Sequence, residues 1–368
     1  MRPTYLEVNL EQLKKNLEAI RAHVGKAKVM PMVKANAYGH GIEGVAPFIE
    51  PYADYLGVAL VEEAIQLRGL GIKKPILVAG GTLIEQLPLF FEHDLILTAS
   101  SPDLLTAAEQ LGESTRQRLK VHLKIDTGME RVGVHEYEAE EFIKTSLACS
   151  HIYIEGIYTH LANSEQANAS VTPAPLQLER FQEVLRFYEK NSLPMPMRHV
   201  CNSGGILNLP QAHLDMVRPG VLFYGVYPGR DIQTKIDVKP VLTWKSKVAY
   251  SKVTLPGRSV SYGSLWQAEV QTRIVTVPCG YADGYFRRMT NQARVIINGK
   301  SYPQVGRICM DQFMVNVGED DVKVGSEVTL LGGGITAEEL AAWTGTNEYE
   351  VMTNISARVP RVYVGAVQ

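Results

Sequence analysis

A lysine closes the apolar run in "MVKANAYGHG" (residues 32–41), and the residues behind it are small except for Tyr38. A solvated ammonium group needs no such setting, whereas an amine that must form a covalent bond does. Further on, "KIDTGMERVG" carries Arg131, "IYIEGIYTH" ends at His160, "NSGG" offers Ser203 ahead of two glycines, and "RPG" sets Arg218 before Gly220. Small-residue turns let backbone N–H groups approach an anion, and a serine adds a hydroxyl donor. Together these residue types suit an anion cradle beside a nucleophilic amine.

Such residues act together only if the chain brings them together. The runs "KVMPMVK" (28–34), "YLGVA" (55–59), "ILVAG" (76–80) and "LILTA" (95–99) read as strands one to four. "RLKVHLKID" (118–126), "IYIEGIYTH" (152–160), "RHVCN" (198–202) and "LDMVRPG" (214–220) read as strands five to eight. Helical patterns lie between them, in "GVAPFIEPY", "VEEAIQLRGLG", "SPDLLTAAEQLG", "EYEAEEFIKTSL" and "LQLERFQEVLRFYEK". Ser101 followed by Pro102 is a helix-start signal, as is Asn9 with Gln12 ahead of "EQLKKNLEAIRAHV". Near-continuous apolar strands alternating with helices predict a parallel sheet covered on both faces. Eight such units fit a (β/α)8 TIM-type barrel over residues 11–225. An open doubly wound sheet fits less well, and no G-x-G-x-x-G fingerprint is present.

In such barrels the site forms at the C-terminal ends of the strands, and phosphate commonly sits after strands seven and eight. Lys34, Arg131, His160, the Asn202–Gly205 turn and the Arg218–Gly220 turn then share one face. Singly these are a solvated lysine, a hydrogen-bonded histidine and ordinary turns, but independent decorations would scatter. A phosphate anchor plus a lysine able to form an imine is what pyridoxal 5'-phosphate requires.

After residue 225 the texture becomes β-branched and alternating: "VLTWKSKVAYSKV", "RIVTVPCG", "ARVIINGKSYP", "ICMDQFMVNV", "SEVTLLG" and "RVPRVYVG", with a hairpin signal at Asn298-Gly299. Residues 226–368, joined by the strand in residues 1–10, form a smaller, mostly β domain. "LGGGI" lacks the Lys and Ser/Thr of a phosphate loop and reads as a turn. At 368 residues the chain exceeds the ~250–300 at which single cores stop growing, consistent with two domains. A net charge of -2 argues against nucleic-acid or anionic-membrane partners. No apolar run approaches a membrane span, and the start resembles no signal peptide, so the expected location is cytoplasmic. Cys149, Cys201, Cys279 and Cys309 show no metal or redox spacing, so no metal is expected, and "NAS" at Asn168 is an incidental sequon.

"VKANAYGHG", "LKIDTGMERVG", "YTHLANS", "NSGG", "RPG", "VSYG", "GYADGY", "VGRICMDQ" and "ARVPRV", in that order, resemble the bacterial alanine racemases from about residue 4 to 364. The resemblance implies a pyridoxal-phosphate-dependent racemase of alanine that supplies D-alanine for peptidoglycan. Lys34 would form the imine, and Tyr38, Ser203, Gly220 and Val221 would hold the phosphate. Arg218 would donate to the pyridine nitrogen. Arginine keeps its proton near neutral pH, so the ring stays a weaker electron sink and transamination is restrained. Two bases on opposite faces are implied: Lys34, and Tyr262 from the partner subunit of a homodimer. A phenol is a poor base near neutral pH, and the family assists it through His160, which bridges it to Arg218. Arg131, Met310 (through its backbone) and Tyr281 would contact the substrate carboxylate or line the entrance, with Asp311 in the same loop. Lys124 matches a position often carbamylated in the family, which would turn a cation into an anion able to hold Arg131.

One departure is Ala357, where the family usually has a tyrosine, and it leaves open a wider pocket that accepts serine or a longer amino acid. Other classes fit worse. "DTG" at 126–128 occurs once and lacks the apolar strand of an aspartic protease. A non-catalytic cofactor carrier would lack the β domain. A decarboxylase of the same architecture should carry a cysteine–aspartate loop, which "ICMDQ" does not match.

Overall fold

The protein is described by a computed structural model covering residues 2–166, 169–229 and 232–365; the sequon at Asn168 lies outside the described residues. The chain divides into two units. One comprises Leu13–Ala37 and Ile42–Lys239, and the other Met1–Gln12, Tyr38–Gly41 and Pro240–Gln368.

The first strand of the chain, β1 (Tyr5–Asn9), belongs to the β-rich unit. The larger unit contains β2 (Lys28–Val29), β3 (Leu56–Val58), β4 (Ile76–Val78), β5 (Ile96–Ala99), β6 (Leu119–Asp126), β7 (Val134–His135), β8 (Ile152–Tyr158), β9 (Met197–His199) and β10 (Met216–Val217). Eight of these run parallel in the order β2-β10-β9-β8-β6-β5-β4-β3, and β7 pairs with β6 at the side. A parallel bridge between Met32 and Gly57 joins the two edges, so the sheet curls round into the eight-fold barrel. Such a sheet is covered on both faces, which is why the residues of β3, β4 and β5 are all buried.

The first barrel strand is less regular than its apolar run suggests. Only Lys28–Val29 is regular strand, because Pro31 has no N–H to give the ladder. Backbone bonds nevertheless continue: Met30 and Met32 donate to Val217 and Pro219 carbonyls (both 2.9 Å), and Val33 donates to Gly57 (2.8 Å). Lys34 lies beyond the ladder, at the start of a turn, and does not end the strand. Two short helices of this unit, Leu87–Glu92 and Ser203–Asn208, have no counterpart in the sequence reading. Six residues are too few to show a 3.6-residue period. The helix starts hold: Leu104 N–H donates to Ser101 Oγ (3.2 Å) with Pro102 as first residue, and Gln12 N–H donates to Asn9 Oδ1 (2.9 Å).

The other unit is a nine-stranded sheet with β11 (Leu242–Lys247), β12 (Tyr250–Thr254), β13 (Thr272–Val277), β14 (Arg294–Ile297), β15 (Lys300–Val305), β16 (Phe313–Gly318), β17 (Glu327–Leu331) and β18 (Arg361–Val364). Its order is β12-β13-β16-β15-β14-β17-β11-β1-β18. β1 lies antiparallel to β11 and parallel to β18, so the N-terminal strand is built into the C-terminal sheet. "VLTWKSKVAYSKV" splits into two strands, and "ICMDQFMVNV" becomes strand only at Phe313. Asn298 (φ 52°) and Gly299 (φ 79°) both take the left-handed conformation that closes the hairpin between β14 and β15. The rings of Trp244, Tyr285 and Phe313 pack in the core, with centroids 5.8 Å and 4.5 Å apart in turn. Among the described residues no helix is long and apolar enough to cross a membrane.

Removing the Ser101 hydroxyl strips the acceptor from Leu104 N–H. Ser101→Ala is therefore expected to lower stability by about 1 kcal/mol, read as the midpoint of denaturant unfolding.

Candidate active site

Lys34 is followed by an unusual stretch of backbone. Ala35, Asn36, Ala37 and Tyr38 all have φ between 51° and 54°, a left-handed turn built without glycine. Each such residue costs roughly 1–2 kcal/mol relative to the right-handed form, so the surroundings must hold the turn in place. Ala37 N–H bonds the Val33 carbonyl (2.9 Å), the Asn36 side chain accepts from Ile42 N–H (2.8 Å), and Ala35 N–H donates to Glu63 (2.6 Å). Burial and then the Arg131 charge lower the pKa of the Lys34 amine, and Glu63 opposes them. A lysine so placed holds its free-base form at lower pH than a solvated one. Tyr38 is buried, and burial raises its phenol.

The two turns expected to form an anion cradle lie at the ends of β9 and β10. Asn202 caps the helix Ser203–Asn208 by accepting Gly205 N–H (3.1 Å). Ser203 Oγ, fixed by that cap, accepts from the N–H groups of Gly220 (2.9 Å) and Leu222 (3.3 Å). A Cβ at Gly204 would lie 2.5 Å from Ser164 Oγ and 2.8 Å from the Ser164 carbonyl carbon, so no side chain fits there. Ser203, Gly220 and Val221 are all buried at this turn.

Arg218 is 4% exposed, and its described hydrogen-bond partners are carbonyls and imidazoles. Its guanidinium donates to the carbonyls of Thr159 (2.9 Å) and Val200 (3.0 Å), to His199 Nδ1 (2.9 Å) and, at 3.4 Å, towards His160 Nδ1. Burial brings its pKa down to about 10, which leaves it protonated at neutral pH. Because a guanidinium only donates, His199 Nδ1 must accept, so its proton sits on Nε2. His199 Nε2 meets His122 Nδ1 (2.8 Å), and His122 Nε2 meets Glu155 (3.1 Å). The proton assignments of both histidines follow, with donation running from Arg218 outward to a carboxylate. Burial, with the Arg218 charge as a further cause, pushes His199 well below its usual range. Burial likewise lowers His122. Tyr158 stacks on His199 with centroids 4.5 Å apart and lies beneath the Arg218 guanidinium.

The sequence reading passed over His122, His199 and Glu155. A signal was available in "HLKID", where His122, Lys124 and Asp126 alternate with Leu123 and Ile125 and so share one face of β6.

Lys124 is 4% exposed and donates to the Ile125 carbonyl (3.0 Å). Burial first, with Arg218 and Arg131 adding, brings its pKa down to about 7 against the pull of Asp126. Gly133 passes so close that a Cβ there would lie 2.8 Å from the Lys124 carbonyl. Asp126, the aspartate of "DTG", folds this loop: its carboxylate accepts the N–H groups of Gly128 (2.8 Å), Met129 (2.8 Å) and Arg131 (3.2 Å). That is a structural role. His160 is pushed well below its usual range by burial and then by Arg218, Arg131, Lys124 and Lys34, so it is a neutral imidazole near pH 7.

The remaining residues belong to the β-rich unit. Tyr262 is 70% exposed, on a turn in which Ser261, Gly263 and Ser264 all have positive φ. Tyr281 and Met310 are also exposed, and their loops are clipped together by Tyr281 N–H to Cys309 (3.1 Å) and Ala282 N–H to Met310 (3.0 Å). A Cβ at Gly280 would sit 2.3 Å from the Met310 carbonyl oxygen, so this clip requires glycine. Buried Asp283 pairs with Arg2 (2.6 Å) and Arg358 (3.5 Å), and Arg358 also holds Asp311 (2.7 Å). Ala357 is exposed on the turn beside Arg358.

His122→Leu would leave the His199 Nε2–H without its acceptor in the barrel interior. A loss of about 1–3 kcal/mol is expected, measured by denaturant unfolding.

Residues 8–228 match the family description "Alanine racemase, N-terminal domain", and residues 241–363 match "Alanine racemase, C-terminal domain". A protein of Carboxydothermus hydrogenoformans named alanine racemase is 43% identical, covering 99% of this chain and 100% of its own. One from Halothermothrix orenii with the same name is 41% identical over 98% of this chain and 97% of its own. Among solved structures, the alanine racemase of Streptomyces lavendulae superposes with a TM-score of 0.95 at 33% identity, covering 100% of this chain and 98% of that one. The alanine racemase of Bacillus anthracis with bound L-Ala-P superposes at 0.92 and 33% identity, covering 100% and 96%. The chain belongs to the alanine racemase family.

Proposed function

We propose that this protein interconverts L- and D-alanine with pyridoxal 5'-phosphate attached to Lys34, supplying D-alanine for peptidoglycan in the cytoplasm. The substrate follows from the relatives, which are named for alanine. The observation that carries the reading is the barrel-mouth donor set. It joins a lysine with a lowered pKa, a serine and glycine turn too tight for a side chain at Gly204, and a buried guanidinium whose described hydrogen-bond partners are all neutral. These residues fit the cofactor: Lys34 for the covalent link, Ser203, Gly220, Val221 and Tyr38 for the phosphate, and Arg218 for the ring nitrogen.

When bound, the cofactor supplies an electron sink that acidifies the Cα–H of the amino acid. The chain's own residues then hold and move the proton. Lys34 Nζ serves one face of the substrate carbon, and the phenol oxygen of Tyr262 of the partner subunit serves the other. His160 supports the phenol: its Nδ1 faces the Arg218 guanidinium (3.4 Å), which leaves its proton on Nε2 to be donated outward. Being neutral, His160 can stabilise a phenolate without protonating it outright. Arg131 and the Met310 backbone would hold the substrate carboxylate, with Tyr281 and Asp311 at the entrance. Because each site would draw Tyr262 from a second copy, the active unit is a homodimer.

Lys124 would act as a carbamate. Its pKa of about 7 leaves much free amine at neutral pH, and that form adds carbon dioxide at Nζ with release of one proton. The resulting anion would orient Arg131, where an ammonium would repel it.

Incubation with L-alanine and chiral analysis should show loss of optical purity without release of carbon dioxide. Lys34→Ala should abolish the absorbance of bound cofactor. Tyr262→Ala should keep that absorbance while turnover falls roughly 10²–10⁴-fold. Retained absorbance in the first variant, or full turnover in the second, would overturn the assignment. Isotope-labelled bicarbonate should give a carbamate resonance that is missing in Lys124→Ala and fades as pH falls below about 7, where the amine reprotonates.

A further inference from the structure

A carboxylate reaches the turn that aims Lys34. Glu63, in the first turn of the helix Val61–Gly69, accepts Ala59 N–H (2.9 Å) and Leu60 N–H (3.1 Å) on Oε2. Those two bonds serve the start of its own helix, as a glutamate at that position commonly does. Its Oε1 makes a different bond, to the N–H of Ala35 at 2.6 Å, across 28 residues of sequence. That bond ties the loop after β3 to the residue immediately following Lys34. The helix does not need it.

The turn does. Ala35 is the first of four consecutive non-glycine residues with φ near 50°, and such backbone persists only where its surroundings over-determine it. The Asn36 side chain pins the far end through Ile42 N–H, and Glu63 pins the end that carries Lys34.

We propose that Glu63 is a positioning residue: its carboxylate locks the Ala35 amide and thereby fixes the direction in which the Lys34 amine leaves the barrel strand. This rests on the reading of Lys34 as the cofactor-bearing lysine. A carboxylate is required because both of its oxygens accept. Glutamine offers one acceptor, which the paired N–H groups of Ala59 and Leu60 at its own helix start would claim, leaving its amide N–H to face the Ala35 donor. Glu63 is also the negative group set against Arg131 near the Lys34 amine.

The test begins with the cofactor-free chain. In Glu63→Gln, hydrogen exchange at the Ala35 amide should accelerate about ten- to hundredfold, the factor expected when a bond to a charged acceptor is lost. Amides of β5 and β6 should keep their protection. On adding pyridoxal 5'-phosphate, the absorbance of cofactor attached to Lys34 should grow at least about tenfold more slowly than in the unsubstituted protein. A glutamate that only caps its helix would expose Ala59 and Leu60 and leave Ala35 and the attachment rate unchanged. That result overturns the proposal. If Glu63→Gln does not fold, Glu63→Asp, which keeps the charge but shortens its reach, takes the same two measurements with the same two outcomes. Lys34→Ala is the separate control: absorbance retained there would sink the reading of Lys34, while the Ala35 exchange would still decide the role of Glu63.

Discussion

A guanidinium held inside a barrel with no carboxylate in contact among the described residues is the constraint around which the larger unit is organised. Isolated charges in an interior are expensive, and the usual remedy is an opposing charge. Here the positive charge of Arg218 is met by two carbonyls, two imidazoles and a stacked phenol ring. The compensating carboxylate, Glu155, stands two histidines away. Burial is the largest influence and works against the ionised Glu155, but His122, Lys120 and the Tyr55 hydroxyl together outweigh it and keep the pKa below its ordinary value. This spacing leaves the inner end of the guanidinium satisfied and its donor character intact, while neutral imidazoles carry the field outward as dipoles.

The same concentration of positive charge explains the state of its neighbours. Lys124, Lys34 and His160 share one region with Arg218 and Arg131, and burial and mutual repulsion lower all three. Amines are thereby shifted towards their free-base, nucleophilic form, and an imidazole towards its neutral one. An anionic ligand placed against the Ser203 and Gly220 turn would relieve that repulsion. A region so charged supports the proposed reading, in which the ligands are a phosphate and a carboxylate.

Backbone geometry is the second device. Gly204 and Gly280 stand where another strand of backbone or a serine passes within a Cβ's reach, and the left-handed residues behind Lys34 and around Tyr262 trade local strain for a fixed side-chain direction. In both units the strained turns lie next to residues assigned to the chemistry.

Much of this was legible in the residue order. Apolar runs alternating with 3.6-period stretches fixed the parallel eight-fold sheet, because only strands buried on both faces read that way. The switch to β-branched alternation after residue 225 gave the second sheet, and Asn9, Ser101 and Asn298-Gly299 marked their caps and turn through local hydrogen bonding. Lys34, Ser203 and Arg218 could be singled out as candidates because strand ends of a barrel face one way. What only the tertiary structure decided depends on partners far apart in the chain. Glu63 meets Ala35, and His122 meets His199 and Glu155, through closures that no short window of sequence contains. The left-handed turn was equally hidden: alanine and tyrosine disfavour that conformation, and one asparagine, which tolerates it, does not announce four such residues in a row. It exists because hydrogen bonds hold it there, one of them from Glu63, 28 residues away.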